Sequence, residues 1–147
     1  MHSRSLGIPQ LAPEGYRKLI ELSAYTKAHL DPTLVELVLL RASVVNGCAF
    51  CVDMHTRDAL KNGEDARRLF AVSAWRESSW FTAEERAALA LTDAVTRLGE
   101  DGVPDDVWAA ATELFTDKQV ADLLLAIVTI NSFNRLMVAV RKQPPPL

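Results

Sequence analysis

The stretch Leu34-Val35-Glu36-Leu37-Val38-Leu39-Leu40 is apolar on every side of a helix apart from one glutamate. A helix of that kind has no solvent face and has to be wrapped by others, which makes it a buried central helix. The rest of the chain supplies the wrapping. Helical periodicity recurs from end to end and alternating strand patterns bounded by turns are missing, so an all-α fold is expected. A first helix is predicted over Glu14 to about Ala28. Asp31-Pro32-Thr33 opens the apolar helix, with proline suited to the first turn and Thr33 the candidate N-cap. Asn46-Gly47 is a turn signal, and the helix that follows, from about Cys48 to Asn62 with Gly63 as its stop, makes a helical hairpin with the apolar one. A further amphipathic helix is expected over Glu64 to about Trp75, then a loop over 76–81. Thr82 with Glu85 and Thr116 with Gln119 are capping-box patterns, opening helices that run to about Leu98 and about Lys142. Between these two, Gly99 and Gly102 break the chain and Pro104 opens a short helix to about Phe115. Pro144-Pro145-Pro146 ends the last helix.

A length of 147 residues is the range of a single domain that buries its own core, and no internal repeat or linker divides it. The net charge of −3 offers no basic field for phosphate backbones, so neither nucleic acid nor a membrane surface is expected as a partner. Residues 1–16 hold no apolar run that could form a signal-peptide core, and the most apolar stretch, Leu123 to Ile130, is far shorter than the ~20 residues of a membrane span. A cytoplasmic protein is the expectation. In that reducing compartment two cysteines three residues apart close almost no loop, and they point to thiol exchange or metal binding rather than to a structural staple.

Those cysteines, Cys48 and Cys51, stand at the start of the second arm of the hairpin, with His55 one turn further on. At 100° per residue Cys51 lies 300° and His55 700° round from Cys48, so all three share one face within about 60°. Val52 and Ala59 border that face, whereas Asp53, Arg57, Asp58 and Lys61 read as lying mostly away from it. Reflecting the chain about Asn46-Gly47 brings Glu36 within one turn of His55 and Ser43 level with Phe50, close to Cys51. An ordered row of Glu36, His55, Cys51 and Cys48 results. A thiol reacts as its thiolate, which an adjacent imidazolium and a helix N-terminus both stabilise, and Glu36 would orient the imidazole. Plainer readings stand beside this one. Thr33-Leu34-Val35-Glu36 also fits a capping box, and His55 alone fits a satisfied core histidine. Cys48, Cys51 and His55 would supply three zinc ligands, but no second CxxC or HxxxH follows to complete the set. A thioredoxin fold is excluded because both flanks of the CxxC are helical. His2 and His29 have no companion residues and are given no role.

Glu36, eleven residues, Cys48-Ala49-Phe50-Cys51, three residues, His55 resembles the core motif of the AhpD-like alkylhydroperoxidase and carboxymuconolactone decarboxylase superfamily. The likeness extends through Asn46-Gly47, Met54-His55-Thr56, Ala74-Trp75-Arg76 and Ile130-Asn131-Ser132-Phe133-Asn134-Arg135, covering most of the chain. The resemblance implies one AhpD-like helical domain over 1–147, acting without a cofactor as a peroxidase or disulfide reductase and assembling as a homo-oligomer, a trimer or hexamer. In that scheme Cys51 attacks a hydroperoxide substrate and becomes a sulfenic acid, Cys48 condenses with it to a disulfide, and Glu36 and His55 carry the proton. An external dithiol reductant, whether lipoyl, thioredoxin-like or a small thiol, restores the pair by attacking the more exposed Cys48. The chain departs from the best-known peroxidase members at Phe50, where they carry a second histidine, and the relay is correspondingly shorter. The lactone chemistry of the decarboxylase branch is not characterised by a CxxC and is not carried over. Asn131, Asn134 and Arg135 are open to a role in the site, at an interface, or in helix packing.

Overall fold

Leu37, Val38, Leu40 and Ala42 are at most 2% exposed, and the helix that carries them, Pro32–Val45, is packed on all sides. In the computed structural model, which describes Arg4 and residues 6–147, eight α-helices follow in order: α1 (Ile8–Leu11), α2 (Pro13–His29), α3 (Pro32–Val45), α4 (Ala49–Lys61), α5 (Ala66–Ala71), α6 (Ala83–Thr96), α7 (Asp105–Leu114) and α8 (Asp117–Ala139). No strand forms among the described residues; a lone bridge joins Gly99 to Gly102. His2 lies outside the described residues.

α3 divides the interior in two. Leu34, Val35, Val38, Leu39 and Ala42 meet Ala88 and Leu91 of α6 and Leu123, Ala126, Ile127 and Ile130 of α8. Its other side, Leu37 and Leu40, meets Ala59 of α4, Leu69, Val72, Trp75, Phe81 and Leu89. Each fully buried leucine contributes about 1.5–3 kcal/mol, so this helix is the hub against which α4 is docked. α8 is long and apolar enough to cross a bilayer by length and composition, but half of that stretch is buried in the fold. Tyr25 of α2 donates to Asp122 of α8 at 3.0 Å.

Both capping boxes form, at Thr82 with Glu85 and at Thr116 with Gln119. The cap of α3 is Asp31, not Thr33: its carboxylate accepts from the Leu34 N–H at 3.0 Å. Pro32 takes the first helical position, which puts the cap one residue earlier. The third helical residue is then Leu34, and Glu36 is released from any capping box. The helix expected to Trp75 ends at Ala71 and tightens into a 3-10 segment, Val72–Glu77. The cause is long-range. Arg41 of α3 donates to the Val72 and Ser73 carbonyls, both at 3.2 Å, and Arg86 of α6 to those of Trp75, Arg76 and Ser78. Carbonyls turned toward guanidinium groups leave the α-helical ladder. The short α1 was not foreshadowed, and α8 stops at Ala139, short of Lys142.

Candidate active site

The Asn46-Gly47 turn, with Gly47 at φ 66°, ends α3 and leads into α4. Cys48 is the N-cap of α4; its sulfur accepts from the Cys51 N–H at 3.3 Å. Cys48 and Cys51 are joined as a disulfide with Cα atoms 5.3 Å apart. The pair therefore sits at the positive end of a 13-residue helix, where the unpaired amides of the first turn favour negative charge on sulfur.

One turn along, His55 Nδ1 lies 3.2 Å from Glu36 Oε2, the contact that the hairpin reflection predicts. Both residues are buried. Burial pushes the Glu36 carboxyl up, but the hydrogen bond from His55 and the charges of His55 and Lys27 outweigh it and hold the group below its ordinary range. An ionised Glu36 fixes the imidazole by that bond and leaves Nε2 facing away; Nε2 is buried and has no hydrogen-bond partner. Lys27 of α2 adds its ammonium 3.5 Å from Glu36 Oε1.

A cavity of about 260 Å³ opens on this row. Its walls are mostly apolar: Tyr16 and Ile20 of α2, Leu39, Phe50, Met54, and Ile130, Phe133 and Met137 of α8, with Cys51, His55, Lys27 and Asp58 among them. Cys48 is not in that lining. It packs with Cys51 and Met137 beneath Tyr16, Phe50 and Leu136. The expected difference in exposure is absent: Cys48 is 2% and Cys51 1% exposed, because the apolar cluster closes over the first cysteine while the cavity reaches the second.

Ser43 serves the turn rather than the neighbourhood of Cys51. Its carbonyl accepts from the Cys48 N–H at 3.0 Å, and its hydroxyl donates to the Leu39 carbonyl and accepts from Asn134 Nδ2. Asn134, fully buried, and Asn131 both accept from Asn46 Nδ2, at 3.0 and 2.9 Å. Arg135 donates to Asn131. The cluster on α8 thus clamps the turn that delivers Cys48, and it does not line the cavity. Two neighbours of the site, Lys27 and Asp58, escaped the sequence reading. Asp58 was grouped with the solvent face of α4, yet three residues beyond His55 places it on the cavity side. Lys27 arrives from α2, with no local signal at all.

The model of the carboxymuconolactone decarboxylase family matches residues 11–94, a span containing Glu36, both cysteines and His55. The chain belongs to that family. Its relatives include the uncharacterised protein YdfG of Bacillus subtilis, 39% identical over 138 residues, which are 93% of this chain and 94% of YdfG. A solved protein of unknown function from Agrobacterium tumefaciens superposes with a TM-score of 0.94 at 36% identity, covering 99% of this chain and all of that one. An uncharacterised peroxidase-related protein with an AhpD core from Ralstonia eutropha shares the fold at 18% identity, TM-score 0.81, over 93% of this chain and 74% of its own. The fold is AhpD-like, and the family includes enzymes.

Proposed function

We propose that this family member reduces hydroperoxides through a dithiol–disulfide cycle of Cys48 and Cys51. The observation that carries the reading is the placement of the bonded pair at the α4 N-terminus, beside the buried Glu36–His55 pair and an apolar cavity that reaches Cys51. The Agrobacterium relative has been named as a candidate AhpD antioxidant defence protein, which agrees with it. The Cys51 thiolate attacks the terminal oxygen of ROOH, the O–O bond breaks, and the leaving alkoxide takes a proton from His55 Nε2 to depart as ROH. Cys51 is then a sulfenic acid. The Cys48 thiolate attacks its sulfur, hydroxide leaves as water with a second proton, and the disulfide forms. An external dithiol reduces it by exchange and is itself oxidised to a disulfide. With both sulfurs covered in the isolated chain, Cys51 is the one that a slim reductant meets through the cavity. The cycle belongs in the cytoplasm, where such dithiols are kept reduced.

The test is one equivalent of an organic hydroperoxide added to reduced protein. Mass spectrometry should show loss of two hydrogens, abolished by Cys48→Ser, and Cys51→Ser should stop peroxide consumption. Consumption that survives Cys51→Ser would sink the proposal. A second reading keeps the disulfide cycle but takes disulfides as substrate; Phe50 supports it, since the cavity presents a phenyl ring where a second imidazole would aid O–O cleavage. It gains if the oxidised protein forms from a disulfide substrate but not from the hydroperoxide. We further assign the chain to a homo-oligomer, a trimer or hexamer. The apolar side chains left on the outer face of α8, Leu125, Val128 and Val138, support self-association. A monomer in sedimentation at micromolar concentration would contradict it.

A further inference from the structure

Glu36, His55 and Asp58 each bring one ligand atom into a group in which all three lie within 4.8 Å of one another. His55 and Asp58 stand three residues apart on α4, and Glu36 comes from the facing helix α3. A histidine and a carboxylate at that spacing, with a further carboxylate from the opposite helix, is the arrangement by which helix bundles build metal centres in their interiors. The donor set is one imidazole nitrogen and two carboxylate oxygens, suited to a divalent transition ion such as Zn2+. The nitrogen that meets Glu36 is Nδ1, which stands 3.2 Å from Oε2 at a buried histidine, close to the separation of two neighbouring ligand atoms on one tetrahedral ion, about 3.3 Å for bonds of about 2.0 Å.

We propose that Glu36, His55 and Asp58 form a three-residue site for a divalent transition-metal ion, with a cavity water as the fourth ligand. The site needs neither cysteine, so it exists in the disulfide form of the protein. One group opposes it. The Lys27 ammonium is 3.5 Å from Glu36 Oε1, and it would have to swing away; its side chain is 38% exposed, which leaves it a route to solvent. The two carboxylates outnumber this cation. Metal bound at His55 and Glu36 withdraws both from proton transfer, so under the hydroperoxide reading the metal-loaded protein is the inactive one.

The experiment is calorimetric titration of Zn2+ into fully oxidised protein at neutral pH, where thiolates cannot compete. One equivalent should bind. Asp58→Asn, isosteric and on a half-buried side chain, should weaken that binding by more than about 100-fold, beyond the 10–100-fold lost when only a supporting partner of a ligand is removed. Lys27→Gln should strengthen it several-fold by removing the competing cation. Failure of oxidised protein to take up stoichiometric Zn2+ overturns the proposal, as does binding that Asp58→Asn leaves unchanged, which would place the ion elsewhere. Because hydroperoxide turnover is never measured in this titration, its result and that of the peroxide assay are independent.

Discussion

His55 and Glu36 are two ordinary side chains whose meaning comes from burial. In water an imidazole and a carboxylate 3.2 Å apart would attract weakly; with both residues at most 5% exposed the interaction is little screened. The pair was legible in the sequence because a tight turn fixes the register of the two hairpin arms, and residues at similar distances from Asn46-Gly47 come within a turn of each other. Lys27 was not legible, since its place beside Glu36 depends on how α2 crosses the hairpin. Asp58 was within reach of helical arithmetic, but its charged neighbours Asp53, Arg57 and Lys61 made that side of α4 look like solvent face. A prediction belongs at this scale. If His55 is held by Glu36 as the proton-transfer partner of reduced Cys51, Glu36→Gln and His55→Ala should each slow alkylation of Cys51 at pH 7 by about tenfold, on the scale of a single general acid–base partner at the low end. Stopped-flow alkylation with iodoacetamide measures this. Rates equal to those of the parent would remove both residues from the relay.

At the scale of elements, the local signals that need no tertiary partner were the readable ones. Capping boxes, the Asn46-Gly47 turn and the glycine stops are settled within four residues of chain, and they are found where the pattern puts them. The 3-10 segment after α5 is decided by Arg41 and Arg86, which come from α3 and α6; nothing in Val72–Glu77 announces it. The same distinction explains Asn134. Its place among the apolar core residues on the buried side of α8 marks it as unusual, but its purpose depends on a contact 91 residues away, with Ser43. Asn134 donates to Ser43 Oγ and accepts from Asn46, so its amide ties both ends of the turn before Cys48 to α8. Asn134→Ala would remove one of the two acceptors of the Asn46 amide and the donor to Ser43 Oγ, and open a small cavity. A loss of about 1–3 kcal/mol in urea denaturation is expected, from two lost hydrogen bonds and the cavity. Asn131→Ala, on a half-buried residue with the Asn134 contact to Asn46 intact, should cost clearly less. Equal losses would mean that the turn is not held chiefly by Asn134.

For the whole molecule, the buried acids set how the fold meets low pH. Two glutamates carry depressed carboxyl groups. At Glu36, burial pushes the group up, yet His55 and Lys27 bring it down overall; at Glu85, burial again opposes, and the Arg68 guanidinium and the Thr82 N–H prevail. Arg68 also reaches Glu64 and the Trp80 carbonyl, so the Glu85 carboxylate joins the start of α6 to α5 and the loop between them. In the unfolded chain both carboxyls titrate near the ordinary 4.5. As their folded values lie lower, the unfolded state takes up protons first when the pH falls. The stabilisation is therefore complete above about pH 4.5 and is lost progressively below it, as the pH drops through the folded values. The double variant Glu36→Gln, Glu85→Gln removes this linkage. It should be less stable than the parent at pH 7, where the ion pairs are broken, and the gap should narrow by pH 3, where the unfolded parent chain has already taken up protons at both carboxyls. Denaturation curves at the two pH values decide the matter. A gap that stays constant would mean that the two glutamates stabilise by packing alone; one that closes ties the acid limit of the fold to the carboxylate that also holds His55. Acid would then loosen α6 and free the imidazole in the same pH range.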